Sequence, residues 1–322
     1  MTSLRLIVPA ALVETVLTLL RGLDSVTNVV HIPGAALEPV GDVVLCDVAR
    51  EEVSLVVEQL TALGLYREGS IALEAVDASV SRAARAAMER APGSAADAVL
   101  WEQVEQTVRE SSELSASYLL FMAIATMIAA VGILNDSAVL IVGAMVVGPE
   151  FGPLAALCLA VVRRRPRVAR ASIVALVVGF VLAIAAAWLL TVALRAFELT
   201  PSGTELEERS QTFFVSHPDT YSVLVALLAG VAGMLSLQTA KSSALIGVLI
   251  SVTTIPAAAN VGVAAAYRDW DEWRGAALQL AINLSMIVVA GVATLAVARF
   301  GHARRRARRA GVKAPSRSSP PT

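Results

Sequence analysis

Glu150 is the one acid inside the apolar run Val139-LIVGAMVVGPEFGPLAAL-Cys158, where Gly148, Pro149, Gly152 and Pro153 surround it. A carboxylate at membrane depth is costly and marks a functional site by default. Each proline removes a backbone donor and clashes with the preceding turn, so the run is expected to break. Freed backbone groups survive at that depth only beside protein or a watery cavity. A second reading stands beside the first: Gly148 as a helix cap, Pro149 at the first helical position and Glu150 in the first turn, against a positive dipole end. A second run, Ala244-LIGVLISVTTIPAAAN-Val261, carries Thr253, Thr254, Pro256 and Asn260. Its hydroxyls either line a site or return to carbonyls that Pro256 frees. Asn260 joins Asn135, Gln238, Gln279 and Asn283 as amides in or at the edge of apolar runs. They read equally as hydrogen bonds between helices and as ligands for a solute.

These residues sit on segments of membrane-crossing length. With 56% apolar residues and a mean hydropathy of +0.69, the chain is too apolar for an ordinary soluble protein. Six spans of the roughly 20 residues that a bilayer needs are expected, from about Ser117 to Leu134, Ala138 to Val162, Ala171 to Leu194, Tyr221 to Leu237, Ala244 to Ala266 and Gly275 to Ala298. The first three spans align with the last three. Tyr118 to Asn135 matches Tyr221 to Gln238, Ser137-Ala138-Val139 matches Ser243-Ala244-Leu245, and Pro149 falls close to Pro256. A repeated unit of three spans enters from opposite sides, and broken helices at matching places in two halves point to a solute or ion site near the midplane. The expected membrane domain, residues 117–300, is therefore two inverted three-helix repeats with its second and fifth helices discontinuous.

Charge fixes an expected orientation. The connection Arg163-RRPRVA-Arg170 holds five arginines and no acid, and the tail from Arg299 holds seven arginines and Lys313, again with no acid. Both are expected to face the cytoplasm, which places the N-terminus there as well. The opposite loops hold Glu198, Glu205, Glu207 and Glu208 in one and the tryptophans of Tyr267-RDWDEW-Arg274 in the other. Only two of the 26 basic residues are lysine, a bias that suggests a GC-rich bacterial genome and a plasma (inner) membrane location. No cleavable signal is read at the start, since Glu14 interrupts the early apolar run. Residues 301–322 read as a basic disordered tail.

Residues 1–76 alternate strand and helix signals. Leu4 to Val8 is a strand and Ala10 to Arg21 a helix stopped by Gly22. Val26 to Ile32 and Val43 to Val48 are β-rich and separated by turns at Pro33-Gly34 and Pro39-Val40-Gly41. Glu51 to Leu63 is a helix, and Ile71 to Val76 the last strand. The order βαββαβ is that of a ferredoxin-like cytoplasmic domain, a fold that does not by itself assign a role. Residues 77–116 read as a linker with an amphipathic juxtamembrane helix from Ala95 to Ser115.

The membrane half resembles the family called domain of unknown function 389, uncharacterised hydrophobic-domain proteins. The likeness rests on Asn135-DSAVLIVGAMVVGPEFGPLAAL-Cys158, on Ser242-SALIGVLISVTTIPAAANVGVAA-Ala266 and on Asn283, and covers about Leu114 to Phe300. In many members the position of Glu150 is apolar, and a pair of prolines stands where this chain has Ile255-Pro256. The resemblance implies a membrane protein without an established activity. The broken spans make a small-solute or ion transporter or channel the leading function. The alternative is a membrane-anchored sensor or scaffold whose N-terminal domain binds a small ligand or partner. No catalytic motif is found: His31, His217 and His302 lie outside the spans, and no metal-protease or nucleophile-elbow pattern occurs. Cys46 and Cys158 have no partner spacing. No cofactor or metal is expected. The expected partners are the lipid bilayer, further copies of the chain in a homo-oligomer and the solute itself; the arginine tail reads as a lipid contact and topology signal, with no nucleic acid expected.

Overall fold

The computed structural model describes residues 1–76, 81–90, 114–200, 220–239 and 243–312, the side chains at 75, 238–239, 243–253 and 302–312 excepted. The chain divides into two compact units, Met1–Val104 and Glu105–Thr322. The amphipathic helix expected from Ala95 lies almost wholly outside the described residues, as do the acidic loop from Pro201 and the tail from Lys313.

The first unit runs β1 (Thr2–Val8), α1 (Val13–Arg21), β2 (Val26–Leu37), β3 (Val40–Val48), α2 (Val53–Ala62), α3 (Leu65–Glu68), β4 (Ser70–Ala75) and α4 (Arg82–Arg90). The strands form one antiparallel sheet in the order β2-β3-β1-β4. Alternation puts Leu4, Leu6 and Val8 of β1 with Val44, Cys46 and Val48 of β3 on one face. There they meet Val16 and Leu20 of α1 and Val56 and Leu60 of α2 in one buried cluster. The Cys46 thiol belongs to that core, and burial pushes its pKa up to about 12.

One turn is corrected. Pro33-Gly34 does not end a strand: β2 continues to Leu37, with a register shift between Ile32 and Ala36. A proline lacks the ladder donor and is tolerated on an edge strand at a bulge, and Gly34 supplies the positive φ of +65°. The Gly34 N–H donates to Asp42 Oδ1 at 2.8 Å, and His31 Nε2 lies 2.6 Å from Asp42 Oδ2. Together these hold the Asp42 carboxyl below the usual carboxylate range, the glycine N–H contributing most.

The second unit is helical: α5 (Ala116–Leu134), α6 (Ala138–Val147), α7 (Phe151–Arg163), α8 (Pro166–Ala196), α9 (Thr220–Thr239), α10 (Ser243–Tyr267) and α11 (Trp270–Val312). Local chemistry sets the ends. Ser115 and Ser137 cap α5 and α6 by accepting from the Tyr118 and Leu140 N–H groups. Pro166 opens α8, where its missing donor costs nothing. Among the described residues α5, α8, α9 and α11 are long and apolar enough to cross a membrane, with α6 and α7 a fifth span if the bent pair counts as one. Their outward faces stay apolar, as Val177, Val181 and Leu189 on α8 or Leu224 and Leu228 on α9 show. Exposed apolar belts on helices of this length are a lipid-facing surface, and the chain is a multi-pass membrane protein. α11 does not stop at Phe300; it continues as helix to Val312, through alanines and arginines that are strong helix formers.

A second correction concerns the fifth span. α10 is one continuous helix with Pro256 inside it, whereas α6 and α7 are separated at residues 148–150 and bent by 56°. The second break is absent because Pro256 stands alone and deletes only one helical hydrogen bond, while Gly148 and Pro149 interrupt consecutive positions. Surroundings matter too. From Thr254 to Ala264 every residue of α10 is buried, as expected of a helix enclosed by protein. It packs against α5, α6, α8, α9 and α11, so the backbone near the proline faces protein on every side.

Small residues permit this enclosure. A Cβ on Gly262 of α10 would lie 2.8 Å from the Ile184 carbonyl oxygen and 2.9 Å from the Trp188 nitrogen, both backbone atoms of α8. On Gly179 of α8 it would lie 2.5 Å from the Tyr118 hydroxyl, which donates to the Ala175 carbonyl. Gly262→Ala should therefore lower the melting temperature in detergent. Gly143→Ala, where a Cβ meets nothing within 4 Å, should leave it unchanged or slightly raised, alanine being favoured by about 1 kcal/mol in a helix. Equal melting temperatures for the two variants would contradict the packing.

Candidate functional site

The break between α6 and α7 is built by three residues. Gly148 is extended (φ −64°, ψ 125°) and closes α6 by donating its N–H to the Ala144 carbonyl. Pro149 follows. Glu150 returns to helical angles (φ −65°, ψ −18°) as the residue before α7. Gly152 and Pro153 fall in the first turn of α7, where backbone donors have no intrahelical partner and a proline is harmless. The break is thus made by Gly148 and Pro149, and the second Gly-Pro pair lies in regular helix.

Glu150 is 1% exposed. Its side chain makes no capping bond to α7; instead its Oε1 accepts from the Thr254 hydroxyl at 2.8 Å. The capping arrangement expected from the sequence, with Gly148 as cap and Glu150 in the first turn, is therefore replaced by one that starts α7 two residues later and turns the carboxylate toward α10. Thr254 has a single hydroxyl hydrogen, and giving it to Glu150 replaces a return to its own helix. Helix dipole and hydroxyl both favour a negative carboxylate here. No Lys, Arg or His occurs at 116–162, 171–194, 220–239, 243–267 or 275–298, so the spans offer this acid no fixed counter-charge.

Two further polar pairs follow, one joining α10 to α11 and one within α11. Asn260, 1% exposed, donates from Nδ2 to Glu272 Oε1 at 2.8 Å. Gln279, 4% exposed, donates from Nε2 to Oδ1 of the fully buried Asn283 at 3.4 Å. Among the described residues, Asn260 Oδ1 and Gln279 Oε1 are buried without a hydrogen-bond partner.

The remaining expected site residues are placed elsewhere. Asn135 is exposed at the end of α5 and donates to the Val131 carbonyl of its own helix, so it closes a helix end. The side chains of Gln238 and Thr253 lie outside the described ones. Pro256 is buried in α10 beside Thr254. Glu272 and Gln279 carry more of the polar network than their sequence suggested: Glu272 reads as a loop acid and Gln279 as one amide among several, until α11 is seen to start at Trp270 and bring both to one face.

The ends of the bundle are also tied by arginines. Arg195 donates to the Ala266 carbonyl and stacks over the Tyr267 ring at 4.4 Å, and Arg299 donates to the Val162 carbonyl. Trp270 and Trp273 pack edge to face at 6.3 Å, as interfacial aromatics do. An apolar groove on α9 and α11, lined by Leu228, Val231, Val289 and Val297 among others, contains none of the residues above. No group of three or more potential metal ligands occurs among the described residues.

The family model described as Domain of unknown function (DUF389) matches residues 145–289, from the last turn of α6 into the middle of α11. "Uncharacterized protein MJ0678" of Methanocaldococcus jannaschii is 27% identical over 201 residues, a match that covers 58% of this chain and 60% of that relative. The chain thus spans less than two thirds of the curated relative it matches. No solved structure matches.

Proposed function

With residues 145–289 a DUF389 domain, we propose that this membrane protein is a transporter or channel for a small solute or ion, with its site where Glu150 meets Thr254. The observation that carries the reading is a carboxylate buried at a helix break, bonded to a neighbouring helix by a hydroxyl. Interrupted helices at membrane depth are used in transporters to hold solutes and ions. The acid's failure to cap α7 leaves binding as the stronger use for it.

The finer architecture belongs to the same reading. α10 serves as a sixth span, and α5 to α8 and α9 to α11 are inverted repeats that diverged at the Pro256 position, where one half kept its break and the other did not. The first unit is ferredoxin-like, a reading supported by its βαββαβ order and the antiparallel arrangement β2-β3-β1-β4. Both termini face the cytoplasm of a bacterial cell because the arginine-rich segments lie on one side. Single cysteines at Ser202 and Ser316 should then label from opposite faces of intact cells, and labelling from the same face would refute the orientation.

A sensor remains the second reading, favoured by the hairpin between β2 and β3, whose tip exposes Leu37 and Val40 by 87% and 80%. Such a tip suits docking to a partner. One experiment separates the two. In proteoliposomes screened with small ions and neutral solutes, the transporter passes at least one, and Glu150→Gln cuts that flux roughly tenfold or more at an unchanged melting temperature. A sensor passes none, and flux insensitive to Glu150→Gln would remove this acid from the site.

A further inference from the structure

The buried and half-buried polar side chains in the first half of α11, Glu272, Gln279 and Asn283, lie on one stripe. Glu272, Ala276, Gln279 and Asn283 recur at spacings of three and four and so share a face. Ala276, Gln279 and Asn283 are buried, and the same face continues as Ile287 and Ala290, also buried and wholly apolar. Because Glu272 accepts from Asn260 of α10, the start of this face is turned to α10, while its continuation meets α9, where a Cβ on Gly230 would lie 2.7 Å from the Ile287 carbonyl oxygen and 2.9 Å from the Ala290 Cβ. The polar residues begin at the α10–α11 turn and end at Asn283, roughly 20 Å in at the helical rise per residue. Thr254 on α10 lies about as far from that turn as Asn283 does and holds Glu150. The stripe therefore carries polar groups from the α10–α11 turn to about the depth of Thr254, and beyond it the apolar Ile287 and Ala290 packed on α9.

Two atoms in this seam have unmet needs. The Asn260 amide nitrogen is committed to a carboxylate and that of Gln279 to Asn283, which identifies the free atom on each as the carbonyl oxygen. Among the described residues neither oxygen has a partner, and both side chains are more than nine-tenths buried. Buried acceptors are rarely left unmet, and water or a ligand commonly fills the gap. Here every group on offer is an oxygen: two amide carbonyls and, at the inner end, a carboxylate. No lysine, arginine or histidine lies in the spans to attract an anion.

Resting on the transport reading above, we infer that the solute is a monovalent cation, an alkali ion or a proton, which enters along the α10–α11 seam past Asn260 and Gln279 and is met by Glu150. The amide oxygens replace part of an ion's hydration or hold the water that relays a proton. Among the described residues the carboxylate supplies the only negative charge at the inner end of this track, and past Asn283 the stripe continues as Ile287 and Ala290 packed on α9, so release to the other side requires the broken helix to move.

The test uses the full chain in proteoliposomes, with radioactive sodium and rubidium, an internal pH dye under a potassium–valinomycin clamp, and chloride and mannitol as comparison solutes. The wild type should pass alkali ions or protons and exclude chloride and mannitol; isotope uptake and the dye signal tell the two cations apart. Asn260→Leu and Gln279→Leu, which remove the free oxygens at similar volume, should each lower cation flux roughly tenfold, the effect of losing one good contact, with elution profile and melting temperature retained. Should the leucine variants not fold, Asn260→Gln and Gln279→Asn, which keep both the amide donor and the oxygen, must retain cation flux. Preferential passage of chloride or mannitol, or cation flux unchanged in both leucine variants or lost in the amide-exchanged ones, overturns the inference while leaving transport intact. Passage of none of these solutes overturns both.

Discussion

A carboxylate enclosed by helices whose apolar stretches contain no basic residue is met by dipoles and neutral donors, and the membrane unit is organised around that constraint. Glu150 sits before the first turn of α7, where backbone N–H groups converge, and it receives the Thr254 hydroxyl from α10. Neither donor exists without a larger feature. The positive helix end there exists only because Gly148 and Pro149 end α6 inside the bundle, and the hydroxyl reaches it only because α10 is enclosed by the other helices.

The central position of α10 is in turn a property of small residues. Ala257, Ala258, Ala259 and Gly262 give it a narrow surface, which lets α8 approach until backbone meets backbone. Without a hydrophobic driving force between helices in lipid, such close contact and a few polar bonds between helices supply the association energy, each bond contributing about 0.6–2 kcal/mol. Tyr118 of α5 donating to the Ala175 carbonyl of α8 is of this kind, and the Thr126 hydroxyl of α5 shares its one hydrogen between the Met122 and Ala123 carbonyls of its own helix and the Ala183 carbonyl of α8. The arginine bonds at the two ends of the bundle close its helix termini where the chain leaves the apolar layer.

Much of this was legible from residue types alone. Period-two and helical patterning placed the strands and helices of the first unit because its core is one-sided. The Gly-Pro pair announced the break in the second span because Pro149 has no donor to continue the helix and Gly148 before it takes an extended backbone. Pro256 misled for a physical reason: a lone proline in an enclosed helix is accommodated, and enclosure depends on neighbours that the local sequence does not name. Asn135 misled similarly, since an amide at a helix end serves its own last turn before it serves anything else. Pro33-Gly34 has the composition of a turn, yet became a bulge because Asp42 on the adjacent strand holds the Gly34 N–H. The pairing of Glu150 with Thr254, about a hundred residues apart, had no local signal at all beyond both being polar in apolar runs.

The proposed site is held by the bond between Glu150 and Thr254, and a double-mutant cycle measures it directly. Unfolding free energies in detergent micelles for the wild type, Glu150→Ala, Thr254→Val and the double variant should be non-additive by roughly 1 kcal/mol or more, the size expected of a buried hydrogen bond to a carboxylate. Additivity to within about 0.3–0.5 kcal/mol would mean that the two residues do not interact, and would contradict the arrangement on which the proposed site depends.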